Sequence, residues 1–129
     1  MSRILLLYIW KKKSNFKHKG KVKNSIIMKT TIIIPARYGS SRLRGKPLYK
    51  ILGREMVLRV ADICSKVVGR KNLYIATDSK KISSVVAKAN YKSINTSSKC
   101  LTGTDRVAEA AMKIKSDIYI NVQGDEPTI

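Results

Sequence analysis

The chain has 129 residues, enough for one core, and its 27 Lys/Arg outnumber eight Asp/Glu to give a net charge of +19. That balance points to anionic partners, namely nucleic acid, a membrane surface or phosphorylated small molecules. One histidine and two cysteines without metal-ligand spacing exclude a zinc site, and so few cysteines suit a reducing cytoplasm better than a disulfide framework.

Residues 1–27 differ from the rest. They hold eight Lys/Arg and no acidic residue, and their apolar run, Ile4-Leu-Leu-Leu-Tyr-Ile-Trp10, is seven residues long. A membrane span needs about 20, and a small-residue cleavage site is missing where Lys11-Lys-Lys13 follows. Residues 1–27 are therefore expected to be a basic, disordered extension, with the organised pattern in residues 28–129.

A first strand is predicted over Thr30–Ile34, with Pro35 ending its ladder. A loop with two glycines, two serines and four cations (Arg37, Arg42, Arg44 and Lys46) then runs to Pro47. Its backbone N–H groups and cationic side chains suit an anion. It is not a P-loop: five residues separate Gly39 from Gly45, and Pro47 stands where a metal-binding hydroxyl is needed. An ordinary solvated surface loop is the competing interpretation.

Leu48–Gly53 reads as a short apolar piece closed by a glycine turn. Helical spacing of Val57, Val60, Ala61, Cys64 and Val67 predicts a helix over Glu55–Val68, stopped by Gly69. A second strand is expected at Leu73–Ala76. Asp78 is placed to cap a second helix over Ser79–Ala89, with Ile82, Val85, Val86 and Ala89 inward. Tyr91–Ile94 reads as a third strand and Asn95–Leu101 as a polar loop. Thr102 and Asp105 have capping-box spacing for a third helix over Asp105–Lys115, with Val107, Ala108, Ala111 and Ile114 inward. Asp117–Val122 is a fourth strand, and Gln123-Gly-Asp-Glu-Pro127 a turn at its end.

Strands alternating with helices imply an α/β fold, with a mostly parallel sheet and helices on its faces. The basic loop and the Asp125–Glu126 turn then share the rim at the carboxyl ends of the strands, where such sheets bind ligands. Cations for phosphate oxygens and a carboxylate for Mg²⁺ are the minimum for phosphoryl or nucleotidyl transfer. A second metal ligand is expected beyond Ile129.

Four motifs in order, Ile34–Leu48, Ala76–Asp78, Thr102–Glu109 and Asn121–Pro127, resemble the 3-deoxy-manno-octulosonate cytidylyltransferase (CMP-KDO synthetase) family. The resemblance covers about Met28–Ile129 and implies a nucleotide-diphospho-sugar transferase (Rossmann-like) fold, truncated at the carboxyl end. It implies a cytoplasmic enzyme, commonly a homodimer, that transfers CMP from CTP to 3-deoxy-D-manno-octulosonate (KDO). CMP-KDO for lipopolysaccharide and diphosphate would result, with Mg²⁺ as cofactor. It assigns Arg37 and Lys46 to the triphosphate, joined by Ser41 and Arg42, and Asp125 to Mg²⁺. Gln123 would line the sugar-acid side, and Thr77, Asp78 and Gly103 the nucleoside.

The sequence departs from the family pattern at Arg44, where proline is usual, and at Cys100 and Thr102, which replace a His and a Ser. The alternatives are an inactive fragment or a basic nucleic-acid-binding module. The latter lacks the clustered aromatics of a stacking platform, so no nucleic-acid partner is expected, nor any membrane span.

Overall fold

The computed structural model describes residues 6–11, 28–39 and 43–124. Its strands are β1 (Leu6–Lys11), β2 (Thr30–Pro35), β3 (Lys50–Ile51), β4 (Arg54–Glu55), β5 (Leu73–Thr77), β6 (Lys92–Asn95) and β7 (Ile118–Val122), and its α-helices α1 (Met56–Val68), α2 (Lys80–Lys88) and α3 (Gly103–Lys113). β3 and β4 form a separate hairpin, while the main sheet runs β1-β7-β2-β5-β6. β2 is parallel to both β5 and β7, and β5 to β6.

β1 lies antiparallel along β7, so Leu6–Lys11 departs from the expected disordered extension. Backbone pairing with an edge needs no sequence periodicity, which is why composition did not reveal it. Pro35 also departs from expectation. It pairs within the ladder opposite Ala76, and the ladder carries on through the Ala36 N–H, which donates to Ala76 O at 2.9 Å.

The alternation of β2 sends its side chains to two cores. Ile32 and Ile34 pack with Leu73 and Ile75 under α1 and α2, against Val57, Ala61, Ile82 and Val86. Ile33 faces the other way, with Ala76 and Tyr119, under Val107, Ala110 and Ala111 of α3 and Ile114 just after it. The sheet is thus buried on both faces, as a parallel sheet requires.

Two helix faces differ from their predicted stripes. Val67 is 74% exposed and Val68 packs in its place. Ala108 is exposed, and Ala110 fills the stripe between Val107 and Ala111. At 100° per residue, one position decides which of two neighbouring apolar residues meets the sheet. The cap of α2 is Ser79, whose side chain accepts from Ile82 N; Asp78 turns elsewhere. The capping box of α3 forms as expected, with Thr102 Oγ1 accepting from Asp105 N at 3.1 Å and Asp105 Oδ2 accepting from Thr102 N at 3.2 Å.

Candidate active site

β2 and β7 are neighbours, but the chain leaves β2 for β5 on the opposite side and returns to β7 only after α3. The crevice outside their carboxyl ends is therefore a topological switch point, the usual ligand site of open α/β sheets. A cleft of about 170 Å³ opens there. Pro35, Ala36 and Arg37 form its β2 side, and Gln123 and Gly124 its β7 side. Lys46, Pro47, Thr102, Gly103 and Arg106 complete its lining.

Local chemistry explains these placements. Gly45 takes φ 71°, turning the loop into a short 3₁₀ segment, Lys46–Leu48, that aims Lys46 back at the β2 end. The Gly45 N–H donates to Tyr38 O at 2.6 Å and Leu48 N to Gly45 O at 2.9 Å. Gly124 lets β7 approach β2, since a Cβ there would lie 3.1 Å from Pro35 O. At Gly103 a Cβ would meet Pro35 Cγ at 3.3 Å and Gln123 Oε1 at 3.6 Å, so the start of α3 packs directly on the cleft wall.

Of the residues singled out in the sequence, Arg37, Lys46, Gly103 and Gln123 come together in this cleft. Ser41, Arg42 and Asp125 lie outside the described residues. Thr77 and Asp78 are not among the residues that line the cleft. Thr77 is buried and its Oγ1 accepts from Ser79 N at 3.1 Å, shaping the turn before α2. Asp78 is 3.7 Å from Nη1 of Arg106. Sequence reasoning missed Arg106 itself. Its signal was its place three residues after Gly103 in the Thr102–Glu109 motif, which returns it to the same side of the helix.

Arg106 is only 2% exposed. Its Nη1 donates to Thr96 Oγ1 at 2.5 Å and to Ser97 O at 3.3 Å. Nearby, Glu109 accepts from Ser97 N at 2.7 Å, which with other local donors holds its carboxyl below the usual range. These bonds fasten the loop after β6 to α3. For metal binding, no group of three His, Cys, Asp or Glu exists among the described residues. The expected Mg²⁺ ligand, Asp125, is among those not described.

The Cytidylyltransferase family profile matches residues 31–129. The chain belongs to this family. It is 46% identical over 101 residues to 3-deoxy-manno-octulosonate cytidylyltransferase of Escherichia coli, covering 78% of this chain and 41% of that one. An 8-amino-3,8-dideoxy-manno-octulosonate cytidylyltransferase of Shewanella sp. is 43% identical over 105 residues, covering 79% of this chain and 43% of the relative. Among solved structures, CMP:2-keto-3-deoxy-manno-octonic acid synthetase complexed with CTP superposes with a TM-score of 0.74 at 46% identity, over 78% of this chain and 42% of that one. A cytidylyltransferase from Leptospira borgpetersenii superposes with a TM-score of 0.66 at 25% identity, over 78% and 43%. The α/β fold and the family expected from the motifs are thus established, and the chain spans less than half the length of these relatives. No helix among the described residues is long and apolar enough to cross a membrane.

Proposed function

We propose that this chain carries the nucleotide-binding part of a CTP-dependent cytidylyltransferase that transfers CMP to KDO, yielding CMP-KDO and diphosphate for lipopolysaccharide synthesis. The observation that carries the proposal is the convergence of Arg37 and Lys46 with Gly103 and Gln123 on one cleft at the switch point. A solved relative at 46% identity is a complex with CTP. KDO is chosen because relatives named for it reach 46% and 45% identity, against 43% for those named for the 8-amino acid.

In the proposed reaction the anomeric hydroxyl of KDO gives up its proton to solvent as its oxygen forms a bond to the α-phosphorus of CTP. The bond from that phosphorus to the bridging oxygen breaks, and its electron pair leaves with diphosphate. Negative charge grows on the leaving group, so fixed cations accelerate the step. Arg37, which is exposed, and Lys46 are assigned to the phosphates, with Ser41 and Arg42 from the same loop. Gln123 is assigned to the sugar acid, and Gly103 to the nucleoside. Asp125 directly follows Gly124 on the cleft wall and is assigned to Mg²⁺, which would neutralise the phosphates. A homodimeric, cytoplasmic enzyme completes the proposal.

Calorimetric titration of the chain with CTP and ATP, with and without Mg²⁺, tests it. The expected result is a Mg²⁺-dependent preference for CTP. Lys46→Ala should weaken CTP on the order of 10- to 100-fold, as loss of a charged hydrogen bond does. Asp125→Ala should remove the Mg²⁺ dependence. Equal, salt-sensitive binding of both nucleotides by all variants would overturn the proposal and leave only the net charge acting. Where the chain binds CTP, incubation with KDO or its 8-amino analogue and assay of released diphosphate identifies the acid.

A further inference from the structure

A buried guanidinium facing a cleft is unusual unless its donors have a use. Arg106 spends Nη1 on Thr96 Oγ1 and Ser97 O. Its Nε and Nη2 have no hydrogen-bond partner among the described residues, although the side chain lines the cleft. Those two N–H groups form the side-on fork of a guanidinium, the pair that Arg54 uses on Asp62. A side-on fork fits two adjacent acceptors in one plane.

The charge around Arg106 narrows the choice of ligand. Asp78 Oδ1 is 3.7 Å from Nη1, so the positive charge already has a carboxylate beside it. A balanced pair suits an uncharged acceptor edge better than another phosphate, for which the cleft has Arg37 and Lys46. On the CTP reading above, on which this inference rests, one such edge is available: the O2 and N3 acceptors of cytosine. Uracil carries a proton on N3, so the same fork would meet a donor there and be left unsatisfied.

We propose that Arg106 is the base-reading residue of this cleft, its Nε–H and Nη2–H donating side-on to O2 and N3 of cytosine. Thr96 and Ser97 hold the fork in place. A site built around fixed donors rejects an analogue lacking the matching acceptor, because its own polar groups are then left unpaired.

The test measures binding of CTP, UTP, 3-deaza-CTP and inorganic tripolyphosphate to the full chain and to its Arg106→Lys and Arg106→Gln variants. The unaltered protein should favour CTP over both UTP and 3-deaza-CTP by on the order of tenfold or more. Both variants should lose that preference while keeping their tripolyphosphate affinity. Lysine should not rescue, since it keeps the charge and lacks the fork. A CTP preference that survives in the variants would overturn the inference. So would tripolyphosphate affinity falling in step with CTP, which would make Arg106 a phosphate contact. Should either variant fail to fold, 3-deaza-CTP decides the matter on the unaltered protein, where binding as tight as CTP overturns it. If that protein binds CTP no better than tripolyphosphate, the CTP reading falls, and the inference with it.

Discussion

Gly124 sits against Ile34 so closely that a Cβ at its position would fall 3.0 Å from Ile34 Cγ2 and 3.1 Å from Pro35 O. A side chain there would press the end of β7 away from the end of β2 by a few tenths of an ångström, beside the cleft that both line. Gly124→Ala must push on backbone as well as on a core methyl. We expect a loss of about 1–3 kcal/mol, as overpacking brings, and weaker CTP binding. Denaturant unfolding and nucleotide titration of the same variant check the two effects together.

The β3–β4 hairpin is predicted to be improvable. Its turn holds Leu52 at φ 50° and Gly53 at φ 80°, and Leu52 is 93% exposed. A bulky residue with positive φ is strained, while Asn suits this position ahead of glycine. The carbonyl of Ile51 accepts from Arg59 Nε at 2.7 Å and that of Leu52 from Arg59 Nη2 at 3.1 Å, which holds the turn against the strain. Leu52→Asn should stabilise the protein by about 0.5–1 kcal/mol, read as a higher melting temperature.

Asp62 predicts the acid limb of stability. Burial works to raise its carboxyl pKa, but hydrogen bonds from Arg54 (2.6 and 2.8 Å) and Tyr91 (2.6 Å) prevail and hold it below the usual range. A depressed folded pKa means that the unfolded chain takes up the proton first as pH falls. Its stabilisation is thus present above a pH of about 4 and fades as pH drops toward the folded value. Asp62→Asn should lower stability by about 1 kcal/mol at neutral pH, since the pair is partly exposed, and should flatten the slope of melting temperature below pH ~4.

The two thiols should separate cleanly in alkylation. Burial in the α1 core pushes the Cys64 thiol up to about 11. Cys100 is partly exposed; slight burial and the hydrogen bond it donates to Glu109 also raise its pKa. At pH ~8 the native protein should label slowly, and only at Cys100, with Cys64 reacting on global unfolding. Cys100→Ser should abolish native labelling. Comparable native labelling at Cys64 would contradict its burial.

Local features were legible in the sequence because local forces produce them. The capping box of Thr102 and Asp105, the apolar runs of β2, β5 and β7, and the glycine turn after Ile51 depend on neighbours within a few residues. The basic loop and the Gln123–Gly124 end of β7 could be placed on one rim because a parallel sheet aligns the carboxyl ends of its strands. Four motifs in order were enough to identify the family, since their side chains and spacing answer to a shared chemistry.

Tertiary structure decided the rest. Whether Val67 or Val68 meets the sheet depends on the phase of α1 against β2 and β5. Ser79 caps α2 while Asp78 turns toward Arg106, a residue 28 positions away that no local pattern connects to it. Pairing of Leu6–Lys11 with β7 joins opposite ends of the chain. The burial of Arg106 beside the cleft, with Nη1 bound to Thr96 and Ser97, arises only when α3 packs over the sheet and brings those two residues to it. Capping and turn chemistry act within about one helical turn, whereas burial and electrostatics act between whichever surfaces the fold brings together.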